Sequence, residues 1–170
     1  MAEFPDAPEV VEDGETCEAN AVKKAVTIAR WTGLTAIADD TGLMVSALGG
    51  RPGVMAARYA GAGSTYEENW RKLLRELKGV PRAQRRARFV TVAAIADPSG
   101  KVRVVEGVLD GLIVEEPAGR HGFGYDPVFW VPEFGRTLAE LTPEEKNRIS
   151  HRARAFAKVR EILKGLRTED

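Results

Sequence analysis

The sequence predicts an α/β fold of the α+β kind, in which helices flank a mixed β-sheet, and three observations support this prediction. Residues 15–31 repeat apolar side chains at helical spacing, residues 88–96 are apolar on both alternating faces, and residues 142–145 have the pattern of a helix start. Helices near both ends and a strand covered on both sides between them require layers, with the sheet in the middle.

The first predicted element is an amphipathic helix over residues 15–31. Its apolar side chains recur every three or four positions, and Gly33 follows as a stop signal. A second helix is predicted over residues 65–78, where an apolar stripe lies opposite Glu-to-basic pairs. That stripe consists of Trp70, Leu73, Leu74 and Leu77.

Between these helices the pattern indicates two short strands. Residues 35–38 are an apolar run, and residues 43–45 form a second one. The intervening sequence Asp39-Asp40-Thr41-Gly42 consists of ordinary turn formers, so an acidic turn is predicted there. Pro52 marks a place where another helix could begin.

The second half of the chain predicts a hairpin, a further strand and a terminal helix. Residues 88–96 and the alternating residues 101–106 are joined by the turn sequence Asp-Pro-Ser-Gly, and residues 108–115 look like another strand. Thr142, Pro143 and Glu145 supply an N-cap hydroxyl, a first helical residue and a capping-box acid. A helix is therefore predicted to begin at Pro143.

Composition excludes several classes of protein. The length of 170 residues suits a single domain over residues 1–170, and 25 basic against 25 acidic residues give no field that would attract nucleic acid or a membrane surface. One Cys and two His are too few for a disulfide framework or a structural zinc site, so any metal would have oxygen ligands. Without a signal peptide or a span of about 18 apolar residues, the chain is expected in the cytoplasm.

Two acidic positions are candidates for chemistry. Asp39 and Asp40 follow an apolar strand, and strand ends are where ligands and metal ions commonly bind. A plain turn explains the pair equally well. Glu12, taken alone, is an unremarkable exposed acid.

A glycine-rich aromatic loop and three basic side chains are further candidates. The sequence Gly122-Phe123-Gly124-Tyr125-Asp126-Pro127 suits stacking on a flat ring, although a hydrophobic corner between strands would look the same. Lys146, His151 and Arg152 could donate to one ligand only if the helix breaks near residues 149–150, because a straight helix points them in different directions. Such a break would make Ser150 the N-cap of a new helix.

Taken in order, these segments resemble the inosine triphosphate pyrophosphatase family over nearly the whole chain. The matching sequences are EDGET with ExNA at residues 12–21, ADDTGL at 38–43, ALGGxPG at 47–53, ARY at 57–59, GFGYDP at 122–127, LTPEEK at 141–146 and SHR at 150–152. So many separated motifs at compatible spacing make the resemblance specific.

The resemblance implies a magnesium-dependent hydrolase that converts ITP, dITP and XTP to the monophosphate and pyrophosphate, working as a homodimer built on an elongated mixed sheet. It implies that Glu12 and Asp40 bind Mg²⁺, and that Asp40 is also the general base that activates water. Asp39 would support it. Lys146 would contact phosphate. The implied substrate-binding residues are Thr41, Phe123, Gly124, Tyr125, Asp126, Lys146, His151 and Arg152.

Within this resemblance, His151 and Arg152 would recognise the base. A donor aimed at the 6-oxo group accepts hypoxanthine and xanthine, whereas the 6-amino group of adenine leaves that donor unpaired. Rejection of ATP follows. Guanine also has a 6-oxo group, so the rejection of GTP does not follow. Thr41 stands where the family usually has Ser, and it keeps the hydroxyl.

The main departure from the family is at the start of the sequence. Members normally open with a strand and a Ser/Thr-x-Asn-x-x-Lys loop that holds the triphosphate, and this chain begins after that unit. We expect that the natural protein starts roughly 20 to 30 residues upstream, the size of such a strand and loop. The alternative is an inactive or non-catalytic nucleotide-binding fragment. A sanitiser of modified pyrimidine triphosphates is a less favoured enzyme class.

Overall fold

A computed structural model of the chain describes residues 4–166, whose strands form a six-stranded sheet flanked by helices. The strands lie side by side in the order β2-β1-β3-β4-β5-β6, and every pairing between described strands is antiparallel. The predicted class is confirmed, although no parallel pair lies within the described residues. The strands are β1 (Ala36–Val45), β2 (Pro52–Gly53), β3 (Arg86–Ala96), β4 (Val102–Ile113), β5 (Phe129–Val131) and β6 (Arg136–Thr137).

Four α-helices accompany the sheet. They are α1 (Cys17–Thr32), α2 (Tyr66–Glu76), α3 (Pro143–Ile149) and α4 (His151–Leu166). The predicted helices over 15–31 and 65–78 are confirmed, and both begin at a threonine cap. Thr16 accepts a hydrogen bond from the N–H of Ala19, and Thr65 forms a capping box with Glu68.

The C-terminal helix breaks at the position that convergence of Lys146, His151 and Arg152 requires. Thr142 and Glu145 form the capping box that starts α3, and α3 ends at Ile149 because Ser150 has an extended backbone with ψ of 147°. The Ser150 hydroxyl then accepts a hydrogen bond from the N–H of Ala153 at 3.1 Å, which caps α4. The side chain of His151 therefore starts from a new helix rather than continuing α3.

The predicted acidic turn is wrong, because residues 36–45 form one continuous strand. Asp39 and Asp40 pair with residues 93 and 92 of β3 in unbroken register. Their partners lie on the helices that cover the sheet and are remote in sequence. Arg152 of α4 binds Asp39, and Asn20 of α1 binds Asp40. Gly42 does not form a turn. It is a close-packed position in the strand, where a Cβ would lie 3.0 Å from the Cys17 Sγ and 3.0 Å from the carbonyl oxygen of Gly53.

The central hairpin is confirmed, but the separate strand over residues 108–115 is wrong. Residues 102–113 form a single strand β4 that pairs along its length with β3. Gly107 lies in its middle because α4 crosses there, and a Cβ on Gly107 would lie 2.1 Å from the His151 carbonyl oxygen. Pro52 lies in strand β2 rather than at the start of a helix.

The two helices α1 and α4 cover opposite faces of the sheet. Small side chains of α1, including Ala21 and Ala25, pack on Val92 and Ala94 of β3. The intervening residues of β3 face the other way, where they pack on α4 in a cluster of Ala93, Ile95, Ala155 and Val159. A third, larger cluster at the far end of the sheet joins α2, β5 and the ends of β1 and β3. Within residues 4–166, no helix combines the length and the apolar character needed to cross a membrane.

Candidate functional site

A cavity of about 470 Å³ opens on the face of the sheet that carries α4. Its wall brings together segments that are far apart in sequence: β1, β3, the loop before α2, the glycine-rich loop, and the junction of α3 and α4. All eight predicted substrate-binding residues line it, namely Thr41, Phe123, Gly124, Tyr125, Asp126, Lys146, His151 and Arg152. This size matches that of ordinary small-molecule sites.

The two adjacent aspartates of β1 lie on opposite faces of the sheet. Successive side chains of a strand alternate, so Asp39 faces α4, as does Thr41, whereas Asp40 faces α1. The Thr41 hydroxyl lies 2.8 Å from the hydroxyl of Thr91 at the floor of the cavity. The predicted substrate-binding residue Thr41 and the predicted catalytic residue Asp40 therefore lie on opposite faces of the same strand.

Asp40 belongs to a small charged cluster beneath α1. One of its oxygens accepts a hydrogen bond from the Asn20 side-chain amide at 3.1 Å, and the other lies 3.9 Å from the Lys24 ammonium. The same ammonium also pairs closely with Glu12. The structure thus brings the two predicted metal ligands, Glu12 and Asp40, to one position, although they are 28 residues apart in sequence.

Asn20 was predicted only as part of the ExNA motif, without a role in the site, and Lys24 was not predicted at all. They lie four residues apart on α1 and therefore share one face of the helix, the face that meets the sheet at Asp40. That spacing was the available signal. It could be recognised only once the helix was known to lie on the Asp40 face of β1.

The donor set of this cluster fits magnesium. Glu12 and Asp40 both direct carboxylate oxygens at the Lys24 ammonium, so a cation already occupies the space between them. Among residues 4–166 no group of three or more His, Cys, Asp or Glu side chains is arranged to hold a metal. Two carboxylates with the remaining positions left to water and substrate phosphates is the way Mg²⁺ commonly binds.

The single cysteine is buried beside the charged cluster, as the sequence predicts for an inert thiol. Burial raises the pKa of the Cys17 thiol to about 12, and the neighbouring Asp40 carboxylate adds to the rise. A thiol with such a pKa stays protonated at neutral pH and is a poor nucleophile. Cys17 therefore packs α1 against Gly42 of the sheet and takes no part in covalent chemistry.

His151 forms an inner wall of the cavity as a neutral imidazole. Its ring stacks on Phe89 with centroids 4.5 Å apart and planes 16° from parallel. Burial, together with the smaller effects of the Lys146 and Arg152 charges, lowers the pKa of His151 to about 4. Its Nδ1 atom is buried and has no hydrogen-bond partner among residues 4–166, which is unusual for a buried polar atom.

We expect the low pKa of His151 to make folding sensitive to acid. Between pH 6.5 and about 4 the unfolded chain binds a proton that the folded chain excludes, so stability is lost as pH falls through that range. His151→Gln should reduce the loss between pH 7.5 and 4.5 by about 2 to 3 kcal/mol, measured by urea unfolding. His121→Gln is the matched control, since His121 is exposed. An identical pH dependence in wild type and His151→Gln would contradict the buried neutral imidazole.

Arg152 is held by Asp39 at the edge of the cavity. Its Nε and Nη2 atoms both donate to one carboxylate oxygen of Asp39, at 3.0 and 2.8 Å. The guanidinium reaches this strand from the first turn of α4, and the side chain also lines the cavity. Asp39 thus fixes the direction of Arg152, which agrees with a supporting role rather than a chemical one.

The glycine-rich loop is built around the carboxylate of Asp126. That carboxylate accepts a hydrogen bond from the N–H of Phe123 at 2.9 Å and pairs closely with the Lys146 ammonium. Gly122 has a φ of +80°, and a Cβ there would lie 2.0 Å from the Asp126 carboxylate. The Lys146 ammonium also lies 4.6 Å from the centre of the Phe123 ring. Lys146 therefore lies on the aromatic side of the cavity, and its phosphate contact stays a prediction.

Tyr125 is more buried than a ligand-stacking residue needs to be. Its hydroxyl donates to the carbonyl oxygen of Ala56 at 2.7 Å, and burial raises its pKa above the usual range. The tyrosine thereby ties the glycine-rich loop to the segment before α2. Asn69 holds that segment from the other side, accepting from the N–H of Ala60 and donating to the carbonyl of Ala57. These bonds fix two walls of the cavity.

Comparisons with known proteins agree with this geometry. A family model described as the Ham1 family matches residues 1–162. A dITP/XTP pyrophosphatase of Geobacillus kaustophilus is 56% identical over 161 residues, which are 95% of this chain and 79% of that protein. A dITP/XTP pyrophosphatase of Shouchella clausii is 48% identical over 166 residues, 98% of this chain and 84% of that protein.

Solved structures of similar proteins have the same fold. The Staphylococcus aureus Ham1 protein superposes with a TM-score of 0.89 at 42% identity, covering 95% of this chain and 83% of that one. A nucleoside-triphosphatase, dITP/XTP pyrophosphatase, from Mycobacterium abscessus gives a TM-score of 0.80 at 45% identity, covering 94% and 81%.

Proposed function

The chain belongs to the Ham1 family, and from this premise we propose that it hydrolyses the deaminated purine nucleoside triphosphates dITP, ITP and XTP to the monophosphate and pyrophosphate. The resemblance inferred from its motifs is thereby confirmed at the level of the family. The observation that carries the proposal is the cavity in which residues from five separated motifs meet. The activity named for the Geobacillus and Shouchella relatives supports it.

Recognition of the base is assigned to His151 and Arg152. A guanidinium can only donate hydrogen bonds, so Arg152 is satisfied by a 6-oxo group and not by a 6-amino group. The buried Nδ1 of His151 is the second group assigned to the base, and an adenine that failed to pair with it would leave it without a partner. Arg152 keeps its bonds to Asp39 whichever base is bound, so discrimination against ATP rests mainly on His151.

Water activation is assigned to Asp40. Its carboxylate is largely shielded from solvent and oriented by the Asn20 amide, so it can accept a proton from a water that attacks the phosphorus atom. The attack forms a bond between that oxygen and phosphorus, and the pyrophosphate group leaves with the electrons of the broken P–O bond. A bound Mg²⁺ would supply charge neutralisation at the phosphates, with Glu12 and Asp40 as its protein ligands.

Lys24, whose ammonium lies at Glu12 and Asp40, is also a candidate to contact the substrate phosphates. The two carboxylates and one ammonium of the cluster sum to one negative charge, which attracts a cation. If a divalent cation takes the carboxylate oxygens, the Lys24 ammonium is left with three N–H donors and no anion. Phosphate oxygens beside the metal would satisfy it. We therefore infer that Lys24 contacts the substrate phosphates.

The experiment that tests this proposal measures pyrophosphate release from triphosphates with different bases, in the presence and absence of divalent cations. We expect pyrophosphate release from dITP, ITP and XTP to exceed release from ATP by about 5- to 150-fold, because leaving one buried polar group, the His151 Nδ1, unpaired costs about 1 to 3 kcal/mol. Chelation of divalent cations should abolish release and Mg²⁺ should restore it. The fold should persist on chelation with at most a small fall in melting temperature, because Lys24 already neutralises part of the cluster. Equal release from ATP and ITP would contradict the proposed base recognition.

The alternative of a non-catalytic nucleotide-binding fragment gains no support from the relatives, whose names describe enzymes and most of whose length this chain covers. Binding of ITP without turnover would favour it.

The homodimer and the cytoplasmic location implied by the resemblance remain proposals. For the dimer we expect a sedimenting species of twice the mass of one chain, and the mass of a single chain at micromolar concentration would contradict it.

A further inference from the structure

We propose that Tyr66, a residue outside the motifs of the sequence analysis, is a base-stacking residue that forms the outer wall of the cavity together with Phe123. The proposal rests on the proposed function, because it assigns the cavity to a purine nucleotide. It adds a second aromatic surface to the one expected from the glycine-rich loop. Part of the affinity for the base would then come from the first residue of helix α2.

Tyr66 is held at the cavity by the start of α2. The capping box between Thr65 and Glu68 fixes the first turn of that helix, and Tyr66 is its first residue. The side chain lines the cavity and is 57% exposed. Its hydroxyl is therefore free to remain in water while the face of the ring contacts a ligand.

Phe123 of the glycine-rich loop lies next to Tyr66 at the opening of the cavity. The two ring centres are 6.2 Å apart and the planes are inclined by 45°, so the rings touch without a shared stacked face. Phe123 is also 57% exposed. The chain therefore leaves two large apolar surfaces in water at one opening. Elsewhere in the cavity the aromatic side chain of Phe89 is buried beneath His151.

A flat, partly apolar ligand would cover both exposed rings. The inner wall supplies groups that can make directional hydrogen bonds, His151 and Arg152, whereas the outer wall supplies ring surface. A purine base has both an edge with hydrogen-bonding groups and a broad π face, so it matches this division of the cavity. Stacking does not depend on the exocyclic groups of the base. Tyr66 should therefore contribute affinity without contributing selectivity between bases.

The test measures binding of IMP by calorimetry in magnesium buffer. Tyr66→Ala should weaken IMP binding about 5- to 150-fold, the range that loss of one base-stacking side chain produces. Tyr66→Phe should bind IMP within about twofold of wild type, because it keeps the ring. Tyr66→Ala should also leave the ratio of ITP to GTP turnover unchanged. Inorganic pyrophosphate, which has no base, should bind Tyr66→Ala as it binds the wild type.

Glu67→Ala is the matched control on the same helix, since Glu67 is exposed and its ion pair is with Arg71. Unchanged IMP affinity in Tyr66→Ala would overturn the proposal, and so would absence of IMP binding to the wild type. Equal weakening by Glu67→Ala, or weaker pyrophosphate binding in Tyr66→Ala, would point to a disturbed helix and would also overturn it. Tyr66-dependent IMP binding in a protein that releases no pyrophosphate would sustain this inference and contradict the proposed function instead.

Discussion

Asp40→Asn is expected to lower pyrophosphate release from dITP by roughly 100- to 10,000-fold, the usual contribution of a positioned general base. The fold should be retained, because an asparagine can still accept the hydrogen bond of Asn20 and Lys24 keeps its pair with Glu12. Steady-state turnover and thermal unfolding measure the two effects separately. We expect the melting temperature to change by no more than a few degrees.

Asp110→Asn is the control for this variant. Asp110 is another strand carboxylate with a basic partner, Arg88, but both side chains are more than half exposed and lie outside the cavity lining. Loss of such a surface pair changes stability by about 1 kcal/mol or less. Its turnover should stay within about twofold of wild type. Near-normal turnover in Asp40→Asn would remove Asp40 from the mechanism, whatever the control shows.

Gly107→Ala is expected to be the most destabilising single methyl addition in the sheet. The new Cβ would lie 2.1 Å from the carbonyl oxygen of His151 and 2.4 Å from the backbone nitrogen of Ala155, so α4 would have to move away from β4. Overpacking of this kind costs about 1 to 3 kcal/mol or more, which corresponds to a fall of about 3 to 10 °C in melting temperature. The first turn of α4 carries His151 and Arg152, so affinity for IMP should fall as well.

Gly165→Ala tests whether these effects come from the close approach. Gly165 lies on the same helix, and a Cβ there meets nothing within 4 Å. An alanine in a helix is intrinsically more favourable than a glycine by up to about 1 kcal/mol, so this variant should melt at or slightly above the wild-type temperature. A Gly107→Ala protein as stable as wild type would show that α4 packs less closely on β4 than the structure has it.

The elements that the sequence predicted best are those specified by local chemistry. The predicted cap at Thr142 is determined by residues within one helical turn, and so is the cap at Ser150 that a break there would require. The hairpin of β3 and β4 follows from a four-residue turn between two apolar runs. In each case the determining contacts lie close together in the chain, so the pattern alone was sufficient.

The acidic segment of β1 was predicted wrongly because its partners are remote. Asp39 is paired with Arg152, which follows 113 residues later, and Asp40 is held by Asn20 from a helix on the other face. Without those partners, two aspartates before a Thr-Gly pair are ordinary turn residues. With them, the segment continues as a strand. Alternation along that strand then sends the two carboxylates to different sites.

The candidate site was predicted as a set of residues but not as an arrangement. The motifs identified the residues that line the cavity, and the structure brings all eight together. Lys24 and Tyr66 were missed because in the sequence they belong to helix faces like any other, and Asn20 was quoted in a motif but given no role in the site. Only the packing of α1 under β1, and of the start of α2 beside the glycine-rich loop, gives them a position in the site.

The most direct test of the proposed function is the identity of the products formed from dITP. The account predicts dIMP and inorganic pyrophosphate in equal amounts, separated by ion-exchange chromatography after complete hydrolysis in magnesium buffer. When the reaction is run in ¹⁸O-labelled water, one label should appear in the dIMP phosphate, because pyrophosphate is the leaving group, and none should appear in the pyrophosphate or in orthophosphate. Formation of dIDP and orthophosphate, or no product beyond that of the Asp40→Asn protein, would contradict the account.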